Sequence, residues 1–166
     1  MSTTPSPHSR EPKVLALRRR MLRLPVVGER IFDIVFARMA PYFSTVRPHF
    51  TRVEPNHVEL VIGKRRRVHN HIGTVHVIAI CNGLEAAMGC LAEVTVPADK
   101  RWIPRGMQVT YPAKADSDIT CIATTEPAAW VGDDPALPVT VRAVRADGTV
   151  VVEGTIDLWV TPRKPR

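Results

Sequence analysis

Apolar residues recur at helical spacing in three stretches of the chain and then at strand spacing almost to its end. From Lys13 to Leu24, Val14, Leu17, Met21 and Leu24 fall three or four positions apart with arginines between them. This predicts a basic amphipathic helix that Pro25 ends. A second helix is predicted from Gly28 to Ala40, with Val27, Ile31, Ile34 and Val35 as its buried stripe and Pro41 as its stop. Both helices read as an extension packed on a main domain. A lid or membrane-surface role is the competing reading for so basic an amphipathic pattern.

The character then changes. His57–Ile62 alternates like a strand that continues toward Val68, and Met107–Tyr111 alternates again. Ile119–Thr125 is β-branched and apolar, Val139–Arg145 alternates, Asp147-Gly148 marks a hairpin, and Thr149–Val160 forms the last strand. Between the first strand and the rest lies a helix from His76 to Glu93 that is apolar nearly all round and rich in Ala and Gly. Such a helix must be buried on most sides. Gly83 and Gly89 weaken it by about 1 kcal/mol each relative to Ala, which is offset where a curved sheet has to come close. Strands, one helix and about four further antiparallel strands exclude a doubly wound parallel sheet. The fold class is α+β, an antiparallel β-sheet wrapped around one long central α-helix with an N-terminal helical extension.

With 166 residues, 45% hydrophobic and 23% charged, the chain has room for one full core. The expected organisation is a disordered terminus over 1–12, a helical extension over 13–44 and the main domain over 45–163. A net charge of +7 invites a nucleic-acid reading. The pattern lacks zinc-finger spacing and an RNP-like motif, and at 5% aromatic it offers few platforms for stacking bases. No nucleic acid is therefore expected; the charge fits an anionic small molecule or a membrane surface equally well, with 13–24 suited to peripheral membrane contact. No apolar run reads as a transmembrane segment, and arginines interrupt the only early apolar stretch, so a cytoplasmic location is expected. Cys81, Cys90 and Cys121 have no CxxC spacing and read as small buried hydrophobes. His69, His71 and His76 lack the further ligands that would close a metal site, no cofactor is implied, and GxSxG is absent.

Glu85 stands out as a carboxylate on the apolar helix, which requires a partner, a raised pKa or a solvent-lined cleft. Asn82 lies three positions earlier on the same helical face. The stretch Asn70-His-Ile-Gly73-Thr-Val-His76-Val77 followed by Glu85 resembles the PaaI-like branch of the hotdog-fold thioesterases. That branch has an Asn, then Gly-x-x-His, then an acidic residue nine positions after the His, and Gly73, His76 and Glu85 keep that spacing. The likeness extends over Arg101-Trp-Ile-Pro-Arg-Gly-Met107 to an uncharacterised bacterial hotdog subgroup and covers roughly 45–161. Val77 stands where relatives usually have Gly, and Glu85 where many have Asp.

The resemblance implies a hotdog fold and hydrolysis of an acyl-CoA or acyl-carrier-protein thioester of a fatty or other apolar acyl group. It implies that the Val77 amide polarises the carbonyl, Glu85 attacks or activates water, His76 orients the substrate and Asn70 fixes the loop. Gly73, Asn82, His71, Arg67 and Arg105 are the expected substrate-binding residues; the basic run Lys64–Arg67 is either a solvated strand end or a phosphate contact. Val77 and Glu85 are eight residues apart, about 12 Å along one helix. Both can reach one carbonyl only from different protomers, so a homodimer or dimer of dimers is expected. The alternatives are a hotdog acyl hydratase or dehydratase, because His71 precedes Glu85 by fourteen positions, and a non-catalytic acyl-CoA-binding protein.

Overall fold

A computed structural model describes residues 12–24, 27–131 and 134–163. The disorder expected over 1–12 therefore lies outside the described residues except at Pro12, and so does the predicted stop at Pro25. The N-terminal helices are α1 (Lys13–Met21) and α2 (Gly28–Met39), followed by a short 3₁₀ turn over Pro41–Thr45. The hairpin β1 (His49–Glu54) and β2 (His57–Ile62) comes next, then the central helix α3 (Val77–Thr95). The chain ends in β3 (Lys100–Thr110), β4 (Ile119–Thr124), β5 (Ala136–Arg145) and β6 (Val150–Pro162). The six strands form one antiparallel sheet in the order β1-β2-β4-β5-β6-β3. It curls around α3, as the pattern predicts.

The apolar character of α3 is explained by what surrounds it. Leu84, Ala86, Ala87, Cys90, Leu91 and Ala92 are fully buried. Gly83 is required at its position: a Cβ there would stand 2.3 Å from Ile62 Cδ1 and 2.9 Å from Cys121 Sγ. β2 and β4 can approach the helix this closely only over a bare backbone. Gly89→Ala would meet nothing nearer than Trp102 at 3.6 Å, so the two glycines are not equivalent. Gly83→Ala is expected to lower stability by about 1–3 kcal/mol through overpacking, measured as a shift of the urea midpoint. An unchanged midpoint would mean that the sheet edge at Ile62 yields freely.

Four expectations are corrected. The first concerns α2, whose buried side chains are Phe32, Phe36 and Ala37, while Val27 and Ile34 are 49% and 50% exposed. Phe32 and Phe36 meet Phe50 of β1 edge-on, with ring centroids 5.4 and 4.8 Å away. Burying a Phe, Val or Ile side chain stabilises by about 1.5–3 kcal/mol alike, and edge-on aromatic pairs add about 0.5–1.5 kcal/mol that the aliphatic stripe lacks. The aromatics take the inward face, Val27 and Ile34 point outward, and Ile31 and Val35 are partly buried. Second, β2 stops at Ile62 instead of running to Val68, and Arg66–Val68 form a 3₁₀ turn. Third, Cys81 is only half-buried, unlike Cys90 and Cys121. Fourth, α3 is long and apolar enough to cross a bilayer by length and composition, with 67% of its most apolar stretch buried inside the fold.

Candidate active site

The start of α3 is fixed by the loop that delivers it. Asn70 closes this loop: its Oδ1 accepts the N–H groups of Ile72 and Thr74, both at 3.1 Å, and its Nδ2 donates to the Thr74 hydroxyl at 2.8 Å. Its backbone N–H donates to the Thr74 carbonyl, and its carbonyl accepts from Gly73. Gly73 sits at φ +78, a left-handed conformation that side chains resist. The Val75 N–H then binds the Ala115 carbonyl and the His76 N–H binds the Val68 carbonyl, at 2.8 and 2.7 Å. Two neighbouring segments thereby pin the last residues before the helix.

His76 is the N-cap. Its Nδ1 accepts the Ile78 N–H at 3.1 Å, which leaves the ring proton on Nε2 in the neutral form. Asn or Ser would ordinarily do this work; the histidine cap also lines both clefts described below. The Val77 N–H has no hydrogen-bond partner among the described residues. It is the first amide of a 19-residue helix whose first turn carries no acidic side chain. An unused donor at the positive end of a helix dipole suits a developing oxyanion.

Two clefts flank this point. One, of about 310 Å³, is lined by Asn70, His71, His76, Val77, Ile80, Tyr111 and Lys114, among others. Of the predicted residues it gathers Asn70, His71, His76 and Val77. The other, of about 280 Å³, lies on the opposite flank and includes Tyr42, Thr45, Arg67, His69, His76 and Asn82. Here the buried Asn82 donates its Nδ2 to the Tyr42 carbonyl (3.3 Å) and the Thr45 hydroxyl (3.0 Å), tying the 3₁₀ turn to α3. Asn82 Oδ1 and His69 Nε2 are buried without a partner among the described residues. A bound donor or ordered water would satisfy the Asn82 oxygen.

Glu85 is half-buried on α3, forms no hydrogen bond or ion pair among the described residues, and lines neither cleft. One chain therefore does not bring Glu85 to the Val77 amide. Arg105 is also elsewhere: it lies on β3, stacked 4.0 Å from the centroid of the Trp159 ring. Arg67 lines the Asn82 cleft, and its charge, with that of Arg47, lowers the pKa of Arg65; burial is the larger cause, and Asp118 opposes both. Burial raises the Cys81 thiol above its ordinary value, against a hydrogen bond from Tyr111, and raises Cys90 and Cys121 further. None of the three is poised as a thiolate nucleophile. Tyr42, Thr45, Tyr111 and Lys114 are lining residues that sequence reasoning missed. Tyr111 alone had a signal, as the end of an alternating strand.

No curated protein matches the sequence. The fold has close counterparts among solved structures. A structural-genomics protein is 37% identical, with a TM-score of 0.78 over 89% of this chain and 99% of its own. A Pseudomonas aeruginosa protein of unknown function, described as a candidate thioesterase, is 17% identical, with a TM-score of 0.71 over 84% and 97% of the two chains. A Silicibacter pomeroyi thioesterase family protein is 18% identical, with a TM-score of 0.64 over 79% and 96%. The fold is the hotdog fold. A family model described as a domain of unknown function, DUF4442, matches residues 28–160, beginning within the helical extension. The chain belongs to that DUF4442 family of hotdog-fold proteins.

Proposed function

We propose that this protein hydrolyses an acyl-CoA or acyl-carrier-protein thioester of apolar acyl type, working as a homodimer. One observation carries the reading. The Val77 N–H and Glu85 have no partner among the described residues and lie on a single helix, about 12 Å apart along its axis. The first can polarise a carbonyl and the second can activate water or attack, but only a second copy of the helix can bring them to one substrate.

The edge strand β3 supports the dimer. It is the last strand of the sheet on one side, eleven residues long, with Ile103 and the neighbouring Tyr111 exposed by 59% and 55%. A long edge with apolar side chains is a template for pairing with another strand. Two of the fold relatives carry a thioesterase description, which favours this chemistry over others that the fold could host.

The dehydratase reading keeps one observation in its favour, because His71 lines the same cleft as Val77 and forms no hydrogen bond among the described residues. A panel of acyl-CoA thioesters varied in chain length and aromaticity, assayed for free thiol release, tests the proposal. Turnover that peaks at one class and survives His71→Ala is expected. Flat, background release across the panel, combined with tight acyl-CoA binding, would replace hydrolysis by a binding role. Loss of a hydration activity in His71→Ala would favour the dehydratase.

A further inference from the structure

Helix α2 is apolar on two opposite faces. Phe32 and Phe36 occupy the inner one, while Val27, Ile31 and Ile34 run along the outer one at helical spacing, with Arg30 and Arg38 beside them. Among the described residues, five of the eleven exposed large apolar side chains fall between Leu22 and Met39. The wider segment from Lys13 to His49 carries eight Lys and Arg residues against two acidic ones, with five of the eight in Lys13–Arg23; on α2 itself Arg30 and Arg38 stand against Glu29 and Asp33.

A cleft of about 720 Å³ opens on this face between α2 and β1. Ile34, Ala37 and Pro48 give it an apolar lining, and Arg30, Arg38 and Arg47 supply three guanidinium groups with no side-chain hydrogen bond or ion pair among the described residues. Its one carboxylate is already engaged: Asp33 accepts from the Phe50 N–H at 2.9 Å and pairs with His49 Nδ1 at 2.8 Å. Arg47 holds a left-handed backbone at φ +50 at the point where the chain passes from the 3₁₀ turn into β1. Free guanidinium groups beside an apolar surface match an anionic headgroup above an acyl layer. The face is also remote from the expected dimer edge, because α2 packs on β1, at the other end of the sheet from β3.

The geometry points to reversible docking of this protein on an anionic phospholipid bilayer through the outer face of α2, with the cleft between α2 and β1 taking a headgroup phosphate. None of these residues lines the clefts at the start of α3, and the docking does not depend on thioester hydrolysis. The test is co-sedimentation of the full chain with phosphatidylcholine vesicles, with and without about 30% phosphatidylglycerol. The wild type is expected to bind only the anionic vesicles and to be released by salt. The double variant Arg30→Ala/Arg38→Ala is expected to lower partitioning about tenfold or more, and Ile34→Asp to lower it similarly. All these side chains are exposed, so circular dichroism should show the fold unchanged.

Wild type that ignores anionic vesicles, or variants that bind them equally well, would overturn the proposal. So would arginine-dependent binding of inorganic phosphate or coenzyme A without vesicle binding, which would make the cleft a site for a soluble phosphate compound. If Ile34→Asp breaks an oligomer and leaves vesicle binding untouched, the face belongs to a second copy of the chain.

Discussion

Val77→Pro is expected to reduce thioester turnover by about 10²–10³-fold while the protein stays folded. Proline removes the single N–H that the mechanism assigns to the carbonyl oxygen. The first position of a helix is the one place where that loss carries little structural penalty, because its amide has no intrahelical acceptor. The preceding residue, His76, already has φ −65 and ψ 133, the extended conformation that a following proline demands. Val77→Ala is the control: it keeps the amide, and by shortening the side chain it opens the space that relatives leave with glycine. A single-turnover assay beside a thermal melt separates the two effects. If Val77→Pro folds and turns over like the wild type, the oxyanion is held somewhere else.

Glu85→Gln should cost about 10²–10⁴ in kcat, the range of a general base or nucleophile removed without changing shape. Glu85 makes no hydrogen bond or ion pair among the described residues, so the amide disturbs no internal network and the melt should move little. The stronger test mixes the two inactive variants. In a site shared across protomers, the Glu85→Gln chain contributes a working Val77 amide and the Val77→Pro chain a working Glu85. Equal mixing with free exchange makes about half of the dimers mixed, each with one intact site, and so restores about a quarter of wild-type activity. A site contained within one chain would show no recovery at all.

The parts of this molecule that were legible in the sequence are those governed by one periodicity at a time. The central helix was expected over His76–Glu93 and runs Val77–Thr95, because nothing competes with an apolar pattern closed by its own N-cap. Asn70's loop role came from the family resemblance and not from periodicity, although its hydrogen bonds are nearly all local. Elsewhere two signals overlapped. In α2 both the aromatic and the aliphatic stripes have helical spacing, and spacing alone says nothing about which one faces inward. Strand β1 escaped notice because a bulge between Phe50 and Arg52 places its buried residues, Phe50 and Val53, three positions apart. The first half of β3 was hidden by a second bulge at Pro104–Gly106. Asn82 was singled out for its closeness to Glu85, yet its partners Tyr42 and Thr45 lie in a different segment, joined to it only by the tertiary fold.

The close contact at Gly83 bears on substrate length. Ile62 and Cys121 fill the gap between α3 and the sheet so completely that not even a methyl group fits. An acyl chain in the proposed enzyme would find no room between α3 and the β2–β4 side of the sheet at that position. In the proposed enzyme the ruler for acyl length would lie in the seam between two copies, where substitutions on β3 could lengthen or shorten it without touching either core.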